Sequence, residues 1–157
     1  MENSLKRCIL VDADACPVKE EIAKAGKQFG IKAIFVASYD HQLPQWDEVE
    51  TVYVDRSSQS ADLYLSNRLK PGDLLITQDH GLAAIGLAKR CFVLSFRGKK
   101  YTQQSIDWLL EQRHVYAKNR RSGKYGKGPK PFTARDRNKF LQSLTKLLKE
   151  WQENEES

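Results

Sequence analysis

The chain has 157 residues and a net charge of +6, with 40% hydrophobic and 29% charged residues, which fits one domain able to bury a core. No run approaches the roughly 18 apolar residues that a membrane span needs, so we expect no membrane partner. The N-terminal apolar patch is soon interrupted by aspartate, unlike a signal peptide, and the three cysteines follow no disulfide or zinc spacing, so we expect a reducing cytoplasm.

Five short apolar runs predict buried strands, which in chain order are Cys8–Val11, Ala33–Ala37, Thr51–Val54, Leu74–Thr77 and Cys91–Leu94. Segments with apolar residues at helical spacing lie between most of these strands. They predict one helix from Pro17 to Gly30, one capped by Ser60, and one over residues 81–90. This alternation predicts an α/β fold, a three-layer α/β/α sandwich around a mostly parallel sheet. If the first strand lies between the second and the fourth, the strand order is 3-2-1-4-5.

The last third of the chain predicts C-terminal helices in the same single domain, one over residues 103–117 and one after a capping box at Thr133 and Asp136. Between these helices, residues 118–131 read KNRRSGKYGKGPKP, with almost nothing to bury. We expect this segment to be a mobile basic loop.

Four aspartates lie at or near the predicted strand ends: Asp12 and Asp14 after strand one, Asp62 in the helix before strand four, and Asp79 after strand four. Ligands of parallel α/β sheets gather beyond the carboxyl ends of the strands. Carboxylates that converge there repel one another unless a cation lies among them, and hard oxygen ligands suit Mg²⁺ or Mn²⁺. In the alternative interpretation, these are ordinary strand-end residues and Asp14 caps the Pro17 helix.

Three further residues fall near the same predicted crevice: Cys16, Thr77 and His80. Cys16 lies near a helix N-terminus, which lowers a thiol pKa, but no histidine pattern supports a nucleophile. We therefore expect Cys16 to be a small packed residue. Thr77 and His80 flank Asp79 and are expected to line the pocket.

Positive charge is concentrated late in the chain, because residues 97–149 hold 15 Lys and Arg against 3 Asp and Glu. A basic segment beside a nearly neutral body favours a polyanionic partner, here nucleic acid and most simply RNA. The alternative is a solvated surface that keeps the protein in solution. The candidate phosphate contacts are Arg97, Lys99, Lys100, Arg120, Arg121, Lys124, Lys127 and Lys130.

Five blocks of sequence carry a resemblance: VDADACPVKEEI, SADLYLSNRL, PGDLLITQDHGLA, FRGKKYT and PFTARDRNKFL. In this order they resemble the YaiI/YqxD family of small bacterial proteins, over about residues 8–148. That family is similar to the PIN-like group, whose α/β/α domains use clustered acids to bind divalent metal and cut phosphodiesters, mostly in RNA. The resemblance implies that Asp12, Asp62 and Asp79 are catalytic and bind metal, with Asp14 as a fourth ligand.

The chain also departs from these patterns. The family usually has Ile-Pro-Leu-Ala after the T-x-D acid, where this chain has His80-Gly81-Leu82-Ala83. An active PIN nuclease has a further acid after the last strand, but here Leu94 to Arg97 contain no carboxylate.

The leading hypothesis is therefore a divalent-metal-dependent phosphodiesterase acting on RNA or another nucleic acid. Two alternatives remain. One is a non-catalytic RNA-binding protein, and the other is a phosphatase of the haloacid-dehalogenase type, in which Asp12 of the D-x-D motif would be the nucleophile.

Overall fold

The structure is a computed structural model that describes residues 6–121, 123 and 130–156. Its centre is a five-stranded sheet in the order β3-β2-β1-β4-β5, in which every pair of neighbours is parallel. The strands are β1 Ile9–Asp12, β2 Ala33–Ser38, β3 Val49–Val54, β4 Leu74–Ile76 and β5 Phe92–Leu94. The predicted α/β fold and strand order are confirmed.

Five helices cover the sheet: α1 Lys19–Phe29, α2 Ser58–Arg68, α3 His80–Ala88, α4 Gln103–Arg121 and α5 Ala134–Glu156. The side chains of β1 alternate between two cores, as the period of a strand requires. Ile9 and Val11 pack in one core with residues of α1 and α5, and Leu10 packs in the other with residues of α2, α3 and α4. Helices therefore lie on both faces, which gives the three-layer sandwich.

Local sequence accounts for several helix ends. Gly30 ends α1 in the left-handed conformation, at φ 67°. Thr133 and Asp136 form the predicted capping box before α5, because each side chain accepts from the backbone N–H of the other. The predicted cap of α2 is wrong: Ser57, rather than Ser60, accepts from the backbone N–H of Gln59.

The predicted mobile loop begins too early, because α4 continues through Arg121 and includes residues 118–121. Lysine and arginine are good helix formers, and their charge is favourable at a helix C-terminus. Of the remainder, residues 122 and 124–129 lie outside the described part of the chain. Within the described residues, no helix is long and apolar enough to span a membrane.

Candidate functional site

The carboxyl ends of β1 and β4 form the centre of the candidate site, because these strands are neighbours in the sheet. Thr77, directly after β4, is fully buried, and its hydroxyl donates to Asp12 Oδ2 at 2.9 Å. The same hydroxyl oxygen accepts from the backbone N–H of Asp79 at 3.0 Å. Thr77 therefore connects the two principal aspartates and fixes one oxygen of Asp12.

Asp12 is a half-buried carboxylate whose pKa is raised. Burial raises its pKa most, the hydrogen bond from Thr77 opposes this, and the charges of Asp62, Asp79 and Asp14 raise the pKa further. The four predicted aspartates thus lie close enough to interact electrostatically. The sheet topology brings this about, since their positions in sequence span residues 12 to 79.

Asp79 and Asp62 face the same crevice from two helices. Asp79 caps α3, and its Oδ1 accepts from the backbone N–H of Leu82 at 3.0 Å. Asp62 lies in the second turn of α2, where burial and the charge of Asp79 raise its pKa. No described side chain or backbone group donates to the Asp62 carboxylate.

Asp14 points toward the end of β2. Its Oδ1 accepts from the backbone N–H of Ser38 at 2.8 Å and lies 2.9 Å from Nδ1 of His41. The alternative role as a helix cap is wrong, because Val18 occupies the N-cap position of α1 and no side chain caps this helix. Asp14 instead joins the end of β1 to the end of β2. In the phosphatase alternative Asp14 is the second aspartate of the D-x-D motif, and here it is already paired with Ser38 and His41.

The acids do not form a compact three-ligand cluster. Within the described residues, no group of three His, Cys, Asp or Glu side chains is placed to hold a metal ion. Mg²⁺ usually keeps several waters and takes only one or two protein carboxylates, so a magnesium site does not require three protein ligands.

Cys16 is packed and chemically quiet, as expected. It is 3% exposed, and burial raises the pKa of its thiol to about 11. The neutral thiol therefore predominates at physiological pH, which argues against a nucleophile.

Arg97 serves the architecture of the site. Its guanidinium donates to Asp136 Oδ2 at 2.6 Å and to the backbone carbonyls of Pro131 and Lys130, and it lies over the ring of Phe132. These contacts attach the chain after β5 to the start of α5. The predicted phosphate contact would have to compete with them.

Lys99 and His80 lie in one pocket of about 340 Å³ next to the acidic crevice, together with Gln78, Tyr101 and Lys139. Burial lowers the pKa of His80, Asp79 opposes this, and the charges of Arg113 and Lys99 lower it further. The His80 ring meets Tyr101 edge to face at 5.9 Å. We call this recess, lined also by Leu109, the basic pocket.

The other predicted phosphate contacts lie elsewhere. The ammonium of Lys100 lies over the Phe92 ring at the opposite end of β5. Arg121 is exposed in the last turn of α4, Arg120 belongs to the same turn, and Lys130 is exposed before α5. Lys124 and Lys127 lie outside the described residues.

Three residues near the site were missed by sequence reasoning: His41, Arg113 and Lys139. Arg113 comes one helical turn after Leu109, which packs against the core, so helical spacing would have placed it beside α3. His41 follows the end of β2, the same type of position that identified Asp12. Only the docking of α5 brings Lys139 to the pocket.

Comparison with known proteins gives one consistent result. The chain matches the family described as "Uncharacterized BCR, YaiI/YqxD family" over residues 10–150. It is similar to UPF0178 proteins of Bacillus velezensis (47% identity, 93% of this chain and 88% of the relative) and Bacillus cytotoxicus (47%, 94% and 95%). A UPF0178 protein of Listeria monocytogenes is 45% identical over 89% of this chain and 94% of its own. No solved structure matches.

Proposed function

The chain belongs to the YaiI/YqxD family, and we propose that it is a divalent-metal-dependent phosphodiesterase acting on RNA or another nucleic acid. The observation that carries this proposal is the Asp12 carboxylate, which is half-buried, hydrogen-bonded by Thr77 and repelled by Asp62, Asp79 and Asp14. Such a group is unfavourable for stability, and a carboxylate whose pKa is raised by partial burial and by specific charged neighbours favours a functional role. The strand order is also compatible with the PIN-like resemblance.

The donor chemistry fits Mg²⁺ or Mn²⁺. Asp12 and Asp79 each have one oxygen held by a hydrogen bond, from Thr77 and from Leu82, and each keeps a second oxygen for a ligand. Asp62 adds a third negative charge near these two acids, and no described group donates to its carboxylate. We leave Asp14 out of the proposed ligand set, because its pairing with Ser38 and His41 turns it away.

The chain's own contribution is to orient these acids and to attract the substrate. Thr77 and the first turn of α3 hold two carboxylates before anything binds, which reduces the reorganisation that binding requires. Lys99 and Arg113 place positive charge beside the crevice and favour the arrival of a polyanion. When bound, a divalent ion supplies polarisation of the phosphate and a more acidic water.

The test is Mn²⁺-dependent cleavage of mixed single-stranded RNA by the wild type and by Asp12→Asn. We expect cleavage by the wild type and at least about a hundredfold less by Asp12→Asn, since one metal-ordering group is lost. Asp47→Asn is the matched control, because this exposed aspartate pairs with Lys27 at the opposite end of the sheet. Equal cleavage by wild type and Asp12→Asn, or none with any divalent metal, would contradict the proposal.

A non-catalytic RNA-binding protein is the second candidate. Two observations favour it: no described group of three acids is placed to hold a metal ion, and no acid follows β5 before Arg97. For this candidate we expect RNA binding that is unchanged by EDTA and by Asp12→Asn, with no cleavage.

A further inference from the structure

The basic pocket is lined by more cations than acids, because Arg97, Lys99 and Lys139 face a single carboxylate whose charge acts on both Arg97 and Lys139. The ammonium groups of Lys99 and Lys139 form no ion pair with a described residue, and both side chains are exposed. One acid, Asp136, faces the pocket, but its Oδ2 already accepts from Arg97 and from Thr133. The guanidinium of Arg113 approaches from α4 and adds to the positive potential at His80.

A close backbone contact joins the turn that precedes Lys99 to the part of α5 that carries Lys139. Gly98 lies in a tight turn after β5 at φ 86°, and a Cβ built on it would lie 2.6 Å from the backbone oxygen of Lys139. Ser143 fixes the same turn, since its hydroxyl donates to the Gly98 carbonyl at 2.7 Å. The backbone of Lys99 and that of Lys139 are therefore fixed on one rim of the basic pocket, and two positive charges on the same rim favour an anion.

The basic pocket and the acidic crevice share one short segment. Gln78 and His80 line the pocket, and Asp79 between them belongs to the crevice. A ligand that spans both must be negatively charged at two successive positions. A nucleic acid strand has this property, because phosphates repeat once per nucleotide.

The pocket also offers contacts to a base. The aromatic side chains of His80 and Tyr101 and the apolar side chain of Leu109 line it, and its volume of about 340 Å³ falls at the small end of ligand pockets. A base reaches such a recess only when it is unpaired and unstacked.

We propose that the basic pocket binds the nucleotide next to the scissile phosphodiester, with its phosphate between Lys99 and Lys139 and its base toward His80 and Tyr101. The substrate is accordingly a single strand with at least one flanking nucleotide. This inference rests on the proposed function, because cleavage of the phosphodiester is assigned to the crevice. Binding of the nucleotide in the basic pocket is measured separately from cleavage.

The binding arm uses protein carrying Asp12→Asn, so that no cleavage interferes, and a fluorescein-labelled RNA hexanucleotide in EDTA followed by fluorescence anisotropy. Adding Lys99→Ala and Lys139→Ala is expected to weaken binding about tenfold and to reduce the log–log salt slope by about 0.7, because the contacts to one phosphate are lost. A duplex of the same sequence is expected to bind at least about tenfold more weakly than the single strand.

The matched control is Lys146→Ala, an exposed lysine on α5 that lines a different surface. We expect its affinity and salt slope to equal those of the Asp12→Asn protein. Three results would each contradict nucleotide binding in the basic pocket: an equal loss of affinity with Lys146→Ala, no loss of affinity with the double substitution, or equal affinity for the duplex. Circular dichroism verifies that every variant is folded.

The activity arm separates this inference from the proposed function. With Mn²⁺, the ratio of cleavage rates on the hexanucleotide and on bis(p-nitrophenyl) phosphate, which has no flanking nucleotide, is expected to fall about tenfold in Lys99→Ala/Lys139→Ala. If the double variant is active and the ratio of cleavage rates is unchanged, nucleotide binding in the basic pocket is contradicted, whereas the proposed function is not. If the wild type cleaves neither substrate, the proposed function fails, and the binding arm still decides the pocket.

Discussion

At the scale of single residues, Asp12 is the most informative group in the molecule. A carboxylate placed at the end of a buried strand loses hydration, and its neighbours here are other carboxylates. Only the hydroxyl of Thr77 offsets these costs. Stability alone would favour a neutral side chain of the same shape, so Asp12 is a position where function and stability oppose each other.

We predict that Asp12→Asn stabilises the metal-free protein by about 1 kcal/mol, raising the thermal midpoint by roughly 2–4 °C. Asparagine keeps the acceptor for Thr77 and removes the half-buried charge. The midpoint of both proteins, measured in EDTA by differential scanning calorimetry, checks this. A lower midpoint for Asp12→Asn would mean that the carboxylate is compensated in the folded state.

The pH dependence of this gain has a definite sign. Because the folded-state pKa of Asp12 is raised, its contribution to stability is fully present below the unfolded pKa, near 3.8, and is lost as the pH rises through the folded pKa. The advantage of Asp12→Asn should therefore grow from pH 4 toward neutrality. Urea unfolding of both proteins at several pH values measures it, and a constant difference would contradict the assigned cause.

Added Mn²⁺ gives an independent readout at the same residue. A ligand that binds only the folded state raises the midpoint with its concentration. We expect Mn²⁺ to raise the midpoint of the wild type and to leave that of Asp12→Asn unchanged. Equal shifts in the two proteins would place the ion elsewhere.

At the scale of elements, the turn after β5 determines where α5 packs. Ser95 is 4% exposed, and its hydroxyl accepts from the backbone N–H groups of Arg97 and Lys99. Arg97 then binds Asp136 in the first turn of α5. The turn and helix are thereby joined through buried and half-buried polar contacts, with Gly98 at the closest approach.

We predict that Gly98→Ala destabilises the protein by at least about 2 kcal/mol, because the positive φ and the clash with the Lys139 backbone act together. Chemical denaturation measures this loss. The matched control is Gly30→Ala, which also has a positive φ but no atom within 4 Å of the added Cβ, and should cost less. Equal losses would show that the α5 contact contributes nothing.

At the scale of the whole molecule, the strand order creates two opposite kinds of surface side by side. The neighbouring β1 and β4 bring Asp12 and Asp79 to one edge of the sheet, and the next strand, β5, leads into the turn that carries Lys99. A cation bound in the crevice would make this surface attractive to negative charge. The crevice and the positive pocket beside it would then both suit one anionic ligand. This arrangement arises only in the folded chain.

The two cores also respond together to alkaline pH. Burial raises the pKa of Cys16, in one core, and of Cys91, in the other, to about 11 from 9.0. Each contribution to stability is present below about pH 9 and is lost as the pH rises toward 11. We predict that the free energy of unfolding falls by at least about 1 kcal/mol between pH 8.5 and 10, measured with urea. A Cys16→Ala/Cys91→Ala protein should lose less over that interval.

Much of the fold was readable from the sequence because it depends on local patterns. Apolar runs and the helical spacing between them identified all five strands, and the box at Thr133 and Asp136 located the start of α5. The end of α4 was placed wrongly, since the Lys- and Arg-rich segment at 118–121 was taken for loop although these residues are favourable in a last helical turn.

For the site, the sequence by itself determined which acids follow which strands, since that is a matter of chain order. Which side chains come together was decided by the tertiary structure: Asp14 pairs with His41, Arg97 pairs with Asp136, and Lys99 and Lys139 line one pocket. These contacts join elements far apart in the chain. The packing of helices on the sheet determines these contacts, and no local sequence pattern predicts them.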